Sequence, residues 1–285
     1  MKVRQLEQKP LALTNDGRLT LFFVGVGSAS TKRHYQTNFL IIKGQDHLMV
    51  DCGTKTTQAF HELGVNIADI RNYFITHSHA DHIGGLEEVM ITGRYSTRRK
   101  PNIVINKTYQ HLLWDMSLKG GSAFNESPEN GEEKTLSFRD MWSVIYPVWL
   151  KNYPRDTFEA NVGSINLKIF RTMHIPDHST SWQTSFWSCG MIIDNRIMYS
   201  GDTRYDPVLV RSFNRKFRLE TIFHDCQFFT GGVHAGLEEL RKLPSRIRKK
   251  MILVHYGDNW EDFEGKVRQY GFRGLCKQWC FYEFG

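Results

Sequence analysis

Short apolar runs, each closing on a polar or glycine-rich stretch, recur along the whole chain. Their length and their β-branched and aromatic content predict buried strands whose ends carry the polar residues. Residues 19–24 form such a run and pass into the small-residue loop Gly25-Val26-Gly27-Ser28-Ala29-Ser30. That loop is an incomplete Gly-x-Gly-x-x-Gly with no helix directly after it, which is weak support for nucleotide binding. Residues 38–42 and 48–53 predict paired strands about the turn Lys43-Gly44-Gln45-Asp46. A helix is predicted over 57–64, a strand ending at 73–75, and a turn entering a helix over 84–89. A short strand at 103–105 and a helix over 108–117 follow. Further along, 162–172 predicts a strand pair ending at Met173-His174, with strands at 185–193 and 196–200. A strand at 221–223, a helix from Gly232 to Leu243 and a strand at 251–254 complete the reading. Strands alternating with helices make this an α/β chain.

Chemistry-bearing residues fall where these runs stop. After 73–75 comes His77-Ser78-His79-Ala80-Asp81-His82, three histidines and a carboxylate in six positions. Imidazole nitrogens and carboxylate oxygens suit zinc, and also manganese or iron. Solvated loop histidines, or Asp81 as an N-cap, do not explain a His-x-His-x-Asp-His spacing. In that spacing His77 and His79 grip one ion while Asp81 and His82 reach a second. Two such ions, roughly 3.5–4 Å apart, share a bridging hydroxide as nucleophile. His174, Asp202, Asp225 and His255 stand at four more strand ends. His77, His79 and His174 can complete the protein shell of one ion and Asp81, His82 and His255 that of the other, with Asp202 between them. Asp51 also closes a buried strand. It reads either as the acceptor for a ligand histidine's other ring nitrogen or as the N-cap of the helix at 56–63.

The 285 residues fit one large α/β domain, 1–285, with a loop and aromatic insertion around 118–160. Residues 120–134 are rich in Gly, Ser, Asn, Glu and Pro, long enough for a lid or a mobile loop. Behind them, Trp142, Tyr146 and Trp149 are core residues or a base-stacking platform. A hydrophobic content of 40% and a charged content of 24% exclude disordered and fibrous classes. No apolar run approaches the roughly 20 residues of a membrane span, and the start lacks the apolar core of a signal peptide. The chain therefore reads as cytoplasmic. Five scattered cysteines argue against a disulfide framework. A net charge of +7 leans toward phosphate-bearing substrates or serves solubility alone. Arg94, Arg98, Arg99 and Lys100 form a basic patch that is a solvated loop or faces phosphate.

Asp51, the His77-x-His79-x-Asp81-His82 motif, His174, Asp202 and His255, in this order, resemble the metallo-β-lactamase superfamily. The resemblance implies a four-layer αβ/βα sandwich, two mixed β-sheets flanked by helices, with a dinuclear site at one edge. It implies two divalent metal ions, Zn2+ first and Mn2+ or Fe2+ as alternatives. Ser200-Gly201-Asp202-Thr203-Arg204 is similar to the corresponding element of the tRNase Z branch, and His224-Asp225-Cys226-Gln227-Phe228 to its His-Glu-Ala-Thr-Phe. His234-Ala235 stands where that branch has His-Ser-Thr. The branch's acid and histidine protonate the leaving oxygen, so the resemblance gives Asp225 and His234 a proton relay and adds them to Asp81 as catalytic residues. Asp for Glu and Cys226-Gln227 for Ala-Thr depart from the pattern, and His234 beginning a helix is the alternative. Asp202 stands where lactamases with a cysteine ligand have Cys, which moves the expectation from lactams to phosphodiesters.

His174 and Asp202 are only 28 positions apart, so the long arm with which bacterial tRNA-processing relatives grasp tRNA is missing. The chain thus resembles the arm-less cyclic-nucleotide phosphodiesterases of the anti-Pycsar type, phage and bacterial enzymes that destroy cyclic mononucleotide immune signals as homodimers. A metal-dependent hydrolase of 3′,5′-cyclic CMP, UMP, AMP or GMP is the expectation, with Ser28, Arg204, Trp142 and Trp149 at the substrate. RNA is the second candidate substrate, through a tRNase Z-like endoribonuclease, and a non-hydrolytic metal-binding protein is the third reading.

Overall fold

In the computed structural model, which describes residues 1–126 and 135–285, the strand Leu19–Gly25 shows the plan. Leu21 and Phe23 point to one face of their sheet and Phe22 and Val24 to the other, and all four are buried. A strand covered on both faces needs a layer on each side. The first sheet runs, in spatial order, Lys2–Gln5, Cys280–Phe284, Leu19–Gly25, Asn38–Lys43, Asp46–Val50, Asn72–Phe74, Asn102–Val104, Ser143–Ile145. The second runs Gly274–Leu275, Met251–Val254, Thr221–Asp225, Ile197–Tyr199, Cys189–Ile193, Ile165–Arg171, Thr157–Val162, Val148–Trp149. Both mix parallel and antiparallel neighbours.

The inner faces share one apolar cluster. Leu21, Phe23, Phe39 and Val50 of the first sheet meet Leu167, Met191, Tyr199, Phe223 and Val254 of the second. The Phe23 ring lies 4.8 Å from that of Phe223 across the interface. On the outer face of the first sheet pack Thr56–Glu62, Leu86–Ile91 and Lys107–Leu113, through Phe60, Leu86 and Leu113 among others. Pro207–Phe217, Leu237–Leu240 and Glu261–Gln269 cover the second through Leu209, Phe213, Leu240 and Val267. The result is the expected four-layer αβ/βα sandwich. No described helix is long and apolar enough to cross a membrane.

Several elements differ from the sequence reading. The strand predicted over 185–193 is confined to Cys189–Ile193, because a loop from 175 to 188 precedes it. Segment 118–160, read as an insertion, supplies one of the two edge strands of each sheet, Ser143–Ile145 and Val148–Trp149. Residues 120–122 of the expected lid belong to the helix Lys119–Ser122, and 127–134 lie outside the described residues. The basic patch is tied down within its own layer: Arg94 pairs with Glu126, and Lys100 donates to the Arg139 carbonyl at 2.7 Å. Helix Pro207–Phe217 went unread, although Asp206 caps it by accepting from the Leu209 N–H and Pro207 occupies its first turn.

Candidate metal centre and cleft

Strands Asp46–Val50 and Asn72–Phe74 are parallel neighbours, as are Ile197–Tyr199, Thr221–Asp225 and Met251–Val254. Two antiparallel steps make Ile165–Arg171 run the same way as Ile197–Tyr199. All these strands therefore deliver their C-terminal residues to one edge. Three of the exits are left-handed: Asp51 at φ 61°, Gly201 at 60° and His255 at 64°. At Gly201 only glycine fits, since a Cβ would stand 2.1 Å from the Cys189 carbonyl oxygen. Asp51 and His255 have no such excuse, and a strained backbone held at both marks a functional edge.

The donors converge as the spacing predicted. His77, His79, His174 and Asp202 form one group whose ligand atoms lie within 4.8 Å of one another, and Asp81, His82, Asp202 and His255 form a second. One Asp202 oxygen is 3.8 Å from His77 Nε2, 3.9 Å from His174 Nε2, 3.3 Å from His82 Nε2 and 3.4 Å from His255 Nε2. Asp81 lies 3.2 Å from His82 and 3.3 Å from His255. Asp81 and His82 sit on a one-turn helix, Ala80–Ile83, which places the two on adjoining positions facing inward.

Outside this cage the ring orientations are fixed. His82 Nδ1 donates to Asp51 at 2.8 Å, and Asp51 also accepts from the Thr76 amide at 2.7 Å and the Thr76 hydroxyl at 2.9 Å. Asp51 makes no cap to the following helix, whose N-cap is Lys55, and its acceptor capacity goes to His82 and Thr76. His174 Nδ1 donates to the Val233 carbonyl at 2.9 Å, leaving Nε2 pointed inward.

These residues fit divalent cations. Both Asp202 carboxylate oxygens and His82 Nε2 are buried with no hydrogen-bond partner. An ionised group left so costs several kcal/mol, and a cation is the group that would answer it. Burial opposes the charge on Asp202, but His255, His82 and His77 hold its carboxyl well below the ordinary carboxylate range. Burial pushes the His77 and His79 imidazoles down and takes His174 to about 4, which keeps all three in the neutral form that ligates. His82 is the exception: burial is outweighed by Asp202, Asp81 and Asp51, which raise its pKa well above that of a free histidine. It holds a proton where these carboxylates call for positive charge.

Asp225 and His234 form the neighbouring pair. His234 Nδ1 donates to Asp225 at 2.8 Å, and Asp225 also accepts from the Thr203 amide at 2.9 Å. Burial works against a charge on His234, yet Asp225 and Asp202 raise its pKa to about 9. His234 does not begin a helix. The helix there is Leu237–Leu240, with Gly236 at its N-cap, and Gly231 and Gly232 at φ 90° and 82° turn the chain ahead of it. Asp202, Asp225, His234 and His255 also lie close enough to form a third possible donor group.

A cleft of about 540 Å³ opens beside the pair, lined by Ser28, Gln227, Phe228, Phe229, His234, His255, Asn259 and Phe263, among others. Ser28 lines this cleft, on a loop tied to the end of the second sheet by the hydrogen bond its amide donates to the Tyr256 carbonyl at 3.0 Å. Arg204 is not on the cleft wall; its guanidinium donates to the Ser179 carbonyl at 2.6 Å and braces the 175–188 loop. Trp142 is corrected outright. It is 1% exposed and packs on Tyr73 and Phe138 beneath the first sheet, because the strand that follows it is an edge strand anchored in that core. Trp149 is exposed on the far edge strand of the second sheet and lines none of this cleft. Sequence reading missed the cleft aromatics Phe229 and Phe263. Phe263 stacks on Phe228 with ring centroids 4.5 Å apart and comes from the unread helix Glu261–Gln269.

A family model described as anti-Pycsar protein Apyc1 matches residues 19–282. A protein of that description from Bacillus phage BSP38 is 34% identical over 248 residues, covering 86% of this chain and 91% of the phage protein. One from Paenibacillus xerothermodurans is 30% identical over 266 residues, 93% of this chain and 98% of its own. Among solved structures, the metallo-β-lactamase fold protein YhfI from Bacillus subtilis superposes with a TM-score of 0.65 at 14% identity, over 94% of this chain and all of that one. A diphosphatase from the PhnP family gives 0.64 at 14% identity, over 94% and 98%. At those identities the likeness establishes the metallo-β-lactamase fold and nothing finer. The family match over most of the chain and relatives at this identity go further: the chain belongs to the anti-Pycsar protein Apyc1 family.

Proposed function

We propose that this protein is a metal-dependent phosphodiesterase that opens 3′,5′-cyclic mononucleotides and so counteracts a cyclic-nucleotide immune signal. One observation carries the reading: His234, held by Asp225, and His255 of the donor cage line the same cleft, which is sized for a mononucleotide. His77, His79 and His174 on one side and Asp81, His82 and His255 on the other, sharing Asp202, would hold two divalent ions. Zn2+ is the ion best matched to so many imidazoles, with Mn2+ or Fe2+ as alternatives. Such ions supply Lewis-acid polarisation of a phosphoryl oxygen and a lowered pKa for water.

The chain's own residues supply the rest. Asp51 and the Val233 carbonyl hold the outer protons of His82 and His174, which turns each Nε2 inward. Asp225 holds Nδ1 of His234, so the proton on Nε2 is the one available to the departing ribose oxygen. Phe229, Phe228 and Ser28 line the remaining wall and offer the base two aromatic faces and a hydroxyl. The 27 residues between His174 and Asp202 hold a loop and two strands and no arm, which weighs against a tRNA substrate.

The test is hydrolysis of cyclic CMP, UMP, AMP and GMP by the zinc- or manganese-loaded protein, beside a precursor tRNA with a 3′ trailer. Linear nucleotide with intact tRNA supports the proposal. Trailer cleavage with inert cyclic nucleotides replaces it with the endoribonuclease reading. The same reading includes a homodimer acting in the cytoplasm, and light scattering that returns a monomer mass would remove the first part.

A further inference from the structure

The net charge of +7 is not spread over the molecule. Two stretches, 211–218 and 241–250, hold ten lysines and arginines and no acidic residue. The remainder of the chain has 27 basic residues against 30 acidic ones, a balance of −3. These two stretches therefore carry the whole positive excess. They are distant in sequence, and the fold brings them together on the outer layer of the second sheet.

Between them lies a cleft of about 730 Å³, larger than the one at the metal centre. Arg211, Arg215, Arg218, Arg246 and Lys250 line it, and no carboxylate does. Among the described residues none of these five makes a salt bridge. Arg241, by contrast, is paired with Glu238, and Arg196 with Glu220. Guanidinium groups converging on a concave wall with no counter-charge repel one another, and closely spaced phosphates relieve that.

We infer that this cleft binds the phosphate backbone of a nucleic acid, independently of base sequence. The patch continues beyond the cleft through Lys216, Arg241, Lys242, Arg248 and Lys249, which suits a long polyanion better than a compact one. No aromatic residue lines the cleft, so bases are not stacked there and backbone contacts supply the affinity. Lys250 precedes strand Met251–Val254 and His255 follows it, which sets the two sites about 17 Å apart along the sheet. Nucleic acid held here is a tether or cargo and not the substrate of the metal centre.

The experiment is fluorescence anisotropy of a labelled mixed-sequence DNA duplex with the full-length protein, across a salt series, with tripolyphosphate as competitor. If the five cleft cations each neutralise one phosphate, affinity falls about 500-fold between about 50 and 200 mM salt. The Arg211→Glu, Arg215→Glu, Arg218→Glu triple variant should lose at least about 100-fold at the lower salt and flatten the salt slope by about three. Its turnover at the metal centre should be unchanged, which also reports that it folds. If that variant does not fold, the Arg→Gln triple at the same positions must show the same flattening. Absence of duplex binding by the unmodified protein, binding that survives the substitutions, or tight tripolyphosphate binding without duplex binding would each overturn the inference.

Discussion

Replacing Asp51 by asparagine tests the site through an atom that touches neither substrate nor cation. Asp51 is fully buried and accepts from His82 Nδ1 and twice from Thr76. Asparagine keeps one acceptor for Thr76 and turns an NH2 toward His82. Two donors then face each other unless His82 gives up its Nδ1 proton and keeps the one on Nε2, the atom directed at Asp81 and Asp202. The metal-free protein absorbs this by releasing the Nδ1 proton that the Asp51 carboxylate helped to hold, so most of its stability should remain. Asparagine is also at home at φ 61°, whereas alanine would add about 1 kcal/mol of left-handed strain and blur the reading. Binding a cation requires the proton on Nδ1 instead, and that now costs the hydrogen bond to a charged acceptor, about 1.5–3 kcal/mol. Affinity at the Asp81–His82–His255 side should fall about 10- to 100-fold, in line with losses of outer hydrogen-bond partners elsewhere. Calorimetric titration with zinc, one protein against the other, measures it. Unchanged affinity for both cations would refute the argument that Asp51 sets the His82 tautomer.

Three further outcomes are expected. His234→Gln should retain both cations but lose about 100- to 10,000-fold in turnover of cyclic nucleotide. It should stay close to the unsubstituted rate on bis(p-nitrophenyl) phosphate, whose leaving group needs no proton; equal losses on both would move His234 from proton donor to ligand. Trp142→Ala should destabilise the fold by about 3–5 kcal/mol in urea without altering KM, since the ring sits between Tyr73 and Phe138 and not in the cleft; a raised KM with intact stability would reverse that assignment. His47 accepts the Arg71 amide through Nε2 at 3.0 Å, and burial first, then Arg71, depresses its pKa below the ordinary 6.5. A base with a depressed folded pKa leaves stability whole above about 6.5 and drains it as pH falls toward the folded value, because the unfolded chain takes up the proton first. His47→Gln, which accepts without titrating, should show a smaller drop in urea midpoint between neutral pH and about pH 5; an identical drop would assign the acid sensitivity elsewhere.

The metal-binding edge was legible because its signal is local. His77, His174, Asp202 and His255 each stand one to three positions beyond a strand, His79, Asp81 and His82 follow His77 on the same loop and helical turn, and parallel strands necessarily bring those ends together. What local pattern could not say is which strands lie at the edges. Residues 142–149 read as one aromatic stretch, yet Trp142 is buried while Tyr146, Val148 and Trp149 are exposed, because the chain there leaves one sheet's edge for the other's. The C-terminal strand Cys280–Phe284 inserts between Lys2–Gln5 and Leu19–Gly25, a pairing across nearly the whole chain that no window of sequence contains. Charge is the sharper case. Summed over 285 residues, +7 is compatible with mere solubility, and the patch that drew notice, 94–100, is partly neutralised by Glu126 and a carbonyl. The two stretches holding the excess were readable as composition, but 211–218 forms the second half and the C-cap of the unread helix Pro207–Phe217, and 241–250 follows the short helix Leu237–Leu240. Only when both pack on the second sheet do their guanidinium groups face one cavity. An averaged charge thus becomes a site through topology alone, and the salt dependence of nucleic-acid binding measures whether that site is used.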